Sequence, residues 1–155
     1  MLAAGFVFQK GRIRLSVLER PVDQVQFREC RIIKVDPDLP MPELMERYAS
    51  HFRSAIDEFQ PEIIAARKVF NSLNLATAEC QIAPFGILAY VSGEKGLIFK
   101  NYIPAALRSP GPFGLPKGTK PVEAVEVEFG AHPPNWDDLQ KASVLVAWRA
   151  LRECA

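Results

Sequence analysis

The chain has 155 residues, a length that suits one domain. Hydrophobic residues make up 48% and charged residues 24%, which is typical of globular proteins and excludes disordered, collagen-like and disulfide-scaffold chains. The formal charge is +1, so net charge gives no electrostatic signature of nucleic-acid binding. No window approaches about 18 consecutive apolar residues, the length of a membrane-spanning helix. A signal peptide has basic residues before its apolar run, whereas here the first basic residues follow the N-terminal apolar run. We therefore expect a cytoplasmic protein without a membrane-spanning segment, with its three distant cysteines as reduced thiols.

The first third of the chain has the pattern of three β-strands. An apolar run covers residues 2–8, and Ile13, Leu15 and Val17 then alternate with polar residues at the period of a strand. A third apolar stretch covers residues 25–33. Because the turns between these stretches are short, we expect an antiparallel three-stranded meander.

The middle of the chain alternates between helical and strand patterns. Apolar residues recur at three- and four-residue steps from Met45 to Phe59, after Pro42 in a position suited to a first helical turn, and this spacing predicts an amphipathic helix. Further patterns predict a buried strand at 63–66, a buried helix at 75–91, a strand at 97–99 and a short helix at 104–108. A meander followed by such βα units predicts one α/β domain with a mixed sheet and helices on its faces.

The last third is the hardest part to interpret from its pattern. Residues 109–121 hold four prolines and three glycines, which predicts a long, mobile loop. Within residues 122–129, Val125, Val127 and Phe129 alternate with Glu126 and Glu128, which fits either a strand or a mobile arm. A final helix is expected to run to Leu151, capped by Asn135 or Asp137.

Several short motifs carry a family resemblance. Their order along the chain is Asp38-Leu39-Pro40 before the first helix, Phe59-Gln60-Pro61-Glu62 at its end, then the predicted strand, Val69-Phe70 and Asn74. This order resembles the RuvC-type Holliday-junction resolvases over residues 38–90, and more loosely over the final helix. The resemblance implies a ribonuclease-H-like fold, that is, an α/β fold with a three-stranded antiparallel meander followed by βα units.

The resemblance also implies a metal-dependent nuclease, and here the sequence departs from the family. In such enzymes carboxylates from the first strand, the end of the central strand and the start of the last helix hold two Mg²⁺ ions about 4 Å apart. In this chain residues 1–8 contain no acid, Arg67 stands at the central-strand position, and Lys141 replaces the second acid of the last helix. Asp138 is the remaining, weak catalytic candidate. No metal is predicted, unless Mg²⁺ binds a site rebuilt from Glu126, Glu128, Asp137 and Asp138.

Basic residues mark a candidate site for an anion or a nucleic acid. Between residues 95 and 122 there are five bases and no acid, and between 123 and 138 five acids and no base. The basic and the acidic stretch are either two ordinary solvated faces, or the basic residues form part of a cationic site at the strand ends. The candidate binding residues are Arg67, Lys68, Phe70, Asn74, Lys100, Lys117, Lys120 and Lys141. Other interpretations stay open: Phe70 packs in the core, Asn74 caps a helix, and Arg67 forms a buried ion pair with Asp138.

Three functions follow from these features. The leading hypothesis is a non-catalytic RuvC-like domain that binds nucleic acid weakly and without sequence specificity, or binds a protein partner, a second copy in a homodimer included. The second is a metal-dependent, structure-specific DNA endonuclease with a rebuilt active site. The third is a nucleotide-binding or small-anion-binding protein. The fold alone does not decide among them.

Overall fold

Three antiparallel strands open the fold, as the sequence predicts. The computed structural model describes residues 1–69, 74–130 and 136–155. Strands β1 (Leu2–Gln9), β2 (Arg12–Glu19) and β3 (Gln26–Lys34) pair as a meander. Gly11 has a φ of +77° and supplies the left-handed residue that the tight turn between β1 and β2 requires.

Two parallel strands extend the meander to a five-stranded sheet with the order β3-β2-β1-β4-β5. Strand β4 (Ile63–Arg67) runs parallel to β1, and β5 (Ile98–Tyr102) runs parallel to β4. This confirms the predicted pairing of the strand at 63–66 with the first strand. Because β1, β4 and β5 are parallel, their carboxyl ends lie at the same edge of the sheet.

Two helices cover one face of the sheet. Helix α1 (Met41–Phe59) buries the apolar stripe that its sequence predicts, and the Phe52 ring meets the Phe6 ring of β1 edge-on at 5.5 Å. Helix α2 (Leu75–Glu94) packs beside α1 and continues past residue 91, where the predicted helix ends. The buried Ser92 hydroxyl donates to the Leu88 carbonyl oxygen at 2.7 Å, so its polar group has a partner within the helix.

Residues 122–129 form neither a strand nor an arm, so this prediction is wrong. They lie in helix α3 (Pro121–Phe129), which has proline in its first turn. A strand would place Val125 and Val127 on the same face. In the helix Val125 is buried together with Ala124, whereas Val127 is 82% exposed. The valine–glutamate alternation resembles a strand only because every second residue is apolar.

Helix α4 (Asp138–Glu153) covers the second face of the sheet. Asp137 is its N-cap and exchanges hydrogen bonds with Gln140 in a capping box, which confirms one of the two predicted caps. The helix lies directly against β1 at Gly5, where a Cβ atom would come within 2.1 Å of the Ser143 carbonyl oxygen. A glycine at this position therefore sets how closely α4 approaches the sheet.

Two 3-10 helices connect β5 to α3. The first, Pro104–Leu107, confirms the short helix predicted there, and the second, Gly111–Phe113, lies inside the predicted loop. Phe113 is buried against Trp148 of α4 at a ring distance of 5.1 Å, which anchors the middle of that loop. The mobility of the loop stays a prediction. Among the described residues, no helix is long and apolar enough to cross a membrane.

Candidate nucleic-acid interface

Arg67, the last residue of β4, is a partly buried cation that has no anionic partner among the residues that the structure describes. Its Nε atom is buried and has no hydrogen-bond partner, and within the described residues no ion pair includes its guanidinium. Burial lowers the pKa of the Arg67 side chain. An arginine keeps its charge at neutral pH in spite of such a shift, so the strand end carries an uncompensated positive charge.

This guanidinium lines a cavity of about 510 Å³ between the end of β4, the first 3-10 helix, the start of α3 and one side of α4. Two more cations, Arg108 and Lys120, line the same cavity and are exposed to solvent. Apart from Asp138, the rest of the wall is apolar and consists of Pro104, Leu107, Pro121, Val122, Ala142 and Leu145. The cavity therefore combines an apolar interior with three positive side chains.

Asp138 is the one acid that lines this cavity among the described residues. It is exposed in the first turn of α4, where the helix dipole favours a negative charge. Arg67 and Asp138 share the cavity without an ion pair between them, so the buried pair weighed from the sequence is absent between these two described side chains. Three cations against one acid leave the cavity with a surplus of positive charge.

Two other lysines of the candidate site have carboxylate partners. Lys100, in the middle of β5, lies 4.0 Å from the Glu153 carboxylate at the end of α4. Lys141 lies 3.4 Å from Glu126 of α3, and its side chain is only 18% exposed. Each of these lysines therefore lies near a carboxylate, as Lys120 does at 3.9 Å from Glu123, and whether Lys100 or Lys141 also contacts an anion stays a prediction.

Three of the other four candidate binding residues are described by the structure and lie outside the lining of the cavity, and the binding role of all four stays a prediction. Lys68, next to Arg67, and Lys117, in the predicted loop, are both exposed. The Asn74 side chain accepts a hydrogen bond from the Thr77 amide at 3.2 Å and so caps α2, as one interpretation of the sequence expected. Phe70 lies outside the described residues.

Sequence reasoning missed a second arginine on the same side of the sheet. Arg14 of β2 is 5% exposed, and its guanidinium lies 3.1 Å from Asp137 and also donates to the Gln9 side chain. The alternation of apolar and polar residues predicts the strand β2, but it also suggests that Arg14 lies on a face exposed to solvent. The signal was present in the predicted architecture: a sheet with helices on both faces has no solvated side for a central strand, so Arg14 needed a partner under α4.

The residues at this edge do not fit a pair of Mg²⁺ ions. Within the described part of the chain, no three His, Cys, Asp or Glu side chains lie close enough together to hold a metal ion. Strand β1 contributes no carboxylate, and Arg67 occupies the end of β4. Of the acids considered for a rebuilt site, Asp137 is paired with Arg14 and Glu126 with Lys141. Oxygen ligands for hard cations are therefore replaced here by guanidinium and ammonium groups.

The mixed five-stranded sheet, with α1 and α2 on one face and α4 on the other, is a ribonuclease-H-like fold of the RuvC type, as the sequence predicts. The chain is similar to Thermus thermophilus RuvC bound to a Holliday junction substrate, with a TM-score of 0.79 and 16% identity over 99% of this chain and 94% of that one. It is also similar to the yeast mitochondrial Holliday junction resolvase, with a TM-score of 0.69 and 10% identity over 98% of this chain and 80% of that one. These likenesses confirm the predicted fold class.

Similarity in sequence covers a smaller part of the chain than similarity in structure does. A crossover junction endodeoxyribonuclease RuvC from Corynebacterium glutamicum is 26% identical over 77 residues, which are 50% of this chain and 35% of that protein. No family model matches the chain. A fowlpox virus resolvase, solved with Holliday junction DNA, shares the fold at a TM-score of 0.61 and 7% identity, with 99% of each chain covered.

Proposed function

We propose that this chain is a non-catalytic RuvC-like module that binds nucleic acid through backbone phosphates at the carboxyl end of β4. The observation that carries the proposal is the Arg67 guanidinium, which is partly buried, lines a cavity and has no anionic partner among the described residues. A planar guanidinium is suited to bidentate contact with a phosphate, and a phosphate would offset its desolvation.

Two further features support a nucleic-acid ligand. Arg108 and Lys120 line the same cavity as Arg67 and add exposed positive charge to it. The proteins of like fold from Thermus thermophilus and fowlpox virus were each solved with Holliday junction DNA. Contacts with phosphates depend on the charge and shape of the backbone, so the binding is expected to be independent of the nucleotide sequence.

The test is a titration of a labelled four-way junction and a labelled duplex at several salt concentrations. Three phosphate contacts predict a slope of about −3 for the logarithm of the affinity against the logarithm of the salt concentration on duplex DNA. Arg67→Glu is expected to lower the affinity at least about tenfold, because it reverses a charge beside the phosphates. Arg47→Glu, on the exposed surface of α1 across the sheet, is the matched control and should leave the affinity unchanged. No binding by the wild type at low salt would refute the proposal.

The non-catalytic part of the proposal has its own test. Junction and linear DNA are expected to stay intact during incubation with Mg²⁺ or Mn²⁺, because the residues that the structure describes assemble no carboxylate cluster for a metal pair. Cleavage that persists through purification and disappears in Asp138→Ala would establish the competing function, an endonuclease with a rebuilt metal site.

A second candidate function, a scaffold that binds a second copy of this chain, is favoured by the outer face of α2. Ile82 and Tyr90 are 48% and 66% exposed, and Gly86 lies midway between them with open space around it. If two copies of α2 crossed antiparallel at Gly86, Ile82 of one copy would meet Tyr90 of the other. Sedimentation should then show a dimer that Tyr90→Lys dissociates, whereas Val127→Lys, at an isolated exposed position, leaves it intact. A monomeric wild type at all concentrations contradicts this candidate.

A further inference from the structure

The cavity beside Arg67 is larger and more apolar than a phosphate site requires. Its volume of about 510 Å³ is in the range of sites for small organic ligands, which are apolar with a few polar groups that fix orientation. A phosphate is surrounded by charge and water and needs no apolar walls. The apolar side chains here, such as Leu107, Val122 and Leu145, therefore point to a ligand that carries a ring or another apolar body.

The charged groups of the cavity are arranged at more than one place on its wall. Arg67 comes from the end of β4, Arg108 from beyond the first 3-10 helix, and Lys120 from the position before α3. Helix α3 starts at the cavity, and no side chain caps its N-terminus, so the positive end of its dipole adds to the three cations. The apolar body of the ligand must therefore carry a negative group.

Asp138 adds a requirement that a phosphate alone does not meet. Its exposed carboxylate lines the same cavity, where it repels an anion but accepts a hydrogen bond from an amino group. Cytosine, adenine and guanine each carry an exocyclic amino group, and carboxylates accept hydrogen bonds from the cytosine amino group in protein–DNA contacts. An amino-bearing ring attached to a phosphate satisfies the walls, the cations and the acid together.

We propose that this cavity receives one unpaired nucleobase of a bound strand, while the phosphate of that nucleotide contacts Arg67, Arg108 or Lys120. This inference rests on the proposed nucleic-acid binding and specifies which nucleic acids bind best. A base enters a pocket only after it has left its stack and its partner, so a nucleotide that is already unpaired enters at the lowest cost. The chain should therefore prefer strands with an unpaired nucleotide to a continuous duplex.

The test compares three labelled DNA probes by fluorescence anisotropy at low salt: a duplex, the same duplex with one extra unpaired cytidine, and that bulged duplex with an abasic residue in place of the cytidine. The bulged probe should bind about tenfold more tightly than the duplex, because its unpaired base buries apolar surface in the cavity without first leaving a base pair. The abasic probe keeps the extra phosphate but has no base, so it should bind as the duplex does. Equal affinity for the bulged and abasic probes would overturn the inference.

A matched pair of variants on α3 locates the effect in the cavity. Val122→Trp places a large side chain in the cavity wall, whereas Val127→Trp places the same side chain on the same helix at a position that is 82% exposed. We expect Val122→Trp to abolish the preference for the bulge, because the indole would occupy the space of the base. Val127→Trp should keep both the preference and the duplex affinity, and circular dichroism melting should show that both variants fold.

The outcomes separate this inference from the proposed function. Duplex binding without any preference for the bulge, or a preference that survives Val122→Trp, would refute the base site and leave phosphate binding intact. Failure of all three probes to bind at low salt would refute both. If an acidic, leucine-containing peptide binds the wild type and not Val122→Trp, while no probe binds, the cavity is a protein-docking site and the base site is wrong.

Discussion

Two arginines on the α4 side of the sheet, the buried Arg14 on β2 and the partly buried Arg67 at the end of β4, differ in what surrounds them. Arg14 is 5% exposed and is held by Asp137 at 3.1 Å and by Gln9. Arg67 lines an open cavity and has no anionic partner among the described residues. The same residue type is thus built into the fold at one position and left available to a ligand at the other.

The free energy of desolvation explains why this difference matters. Removing a guanidinium from water costs several kcal/mol unless an anion and hydrogen bonds offset that cost. Asp137 offsets it for Arg14 and, as the N-cap of α4, ties β2 to the start of that helix. For Arg67 the offset is missing within the described residues, so the fold alone gives no reason for an arginine at this position. A bound phosphate would supply the missing anion.

The largest expected effect is on stability and concerns Arg14. Arg14→Met should lower the free energy of unfolding by about 2–3 kcal/mol, below the usual cost of breaking a buried pair because the Asp137 side chain is 42% exposed. Denaturant unfolding measures this loss. Arg12→Met, at an exposed position on the same strand, is the control and should stay within about 0.5 kcal/mol of the wild type. Equal effects of the two variants would show that the Asp137 pair contributes little to stability.

Arg67→Met should stabilise the protein, whereas Arg14→Met destabilises it. Replacing an uncompensated, partly buried cation by an apolar side chain of similar length should raise the free energy of unfolding by about 1 kcal/mol. The same variant should lose at least about tenfold in affinity for a four-way junction, because a phosphate loses its guanidinium. Unfolding and junction titration on the same preparation measure both changes.

A gain in stability together with a loss of binding is the signature of a functional residue. If Arg67→Met destabilises the protein as much as Arg14→Met, then Arg67 has a structural role and the contrast between the two arginines fails. If it gains stability and keeps full affinity, the anion site lies elsewhere. Arg67→Lys keeps the positive charge but loses the planar guanidinium that can contact a phosphate in a bidentate way, so it should retain part of the affinity for the junction.

The sequence predicted the parts of the fold that depend on local pattern. The buried run Ile63–Ala66 could be identified as a parallel strand because it is continuous and apolar, and the three- and four-residue spacing of α1 leaves no alternative. Helix α3 was missed because the alternation from Val125 to Phe129 has the period of a strand, whereas the burial of Ala124 beside Val125 is that of a helix. Such a decision depends on packing, which the sequence does not contain.

The candidate site was predictable in its residue types and not in its geometry. The family resemblance placed Arg67 and Asp138 at positions of the expected metal site, and both line one cavity. It did not indicate that Glu126 would neutralise Lys141, because α3 was not recognised as a helix packed on α4. Nor did it distinguish Arg14 from a solvated residue, because the aspartate that holds Arg14 is 123 residues away in the chain.

The smallest expected effect concerns two lysines that differ in their position relative to the cavity. Lys120 lines the cavity with its side chain 75% exposed and lies 3.9 Å from Glu123. Lys100 is not among the residues that line the cavity, and it lies 4.0 Å from Glu153 at the end of α4. Lys120→Ala should therefore lower the slope of log affinity against log salt by about one, since one counterion-releasing contact is lost. Lys100→Ala should leave the slope unchanged, because Lys100 lies outside the cavity that holds the proposed phosphate contacts. A salt titration of duplex DNA with both variants measures the difference. If Lys100→Ala lowers the slope as much as Lys120→Ala, then the bound strand extends along β5 and the binding surface is wider than the cavity.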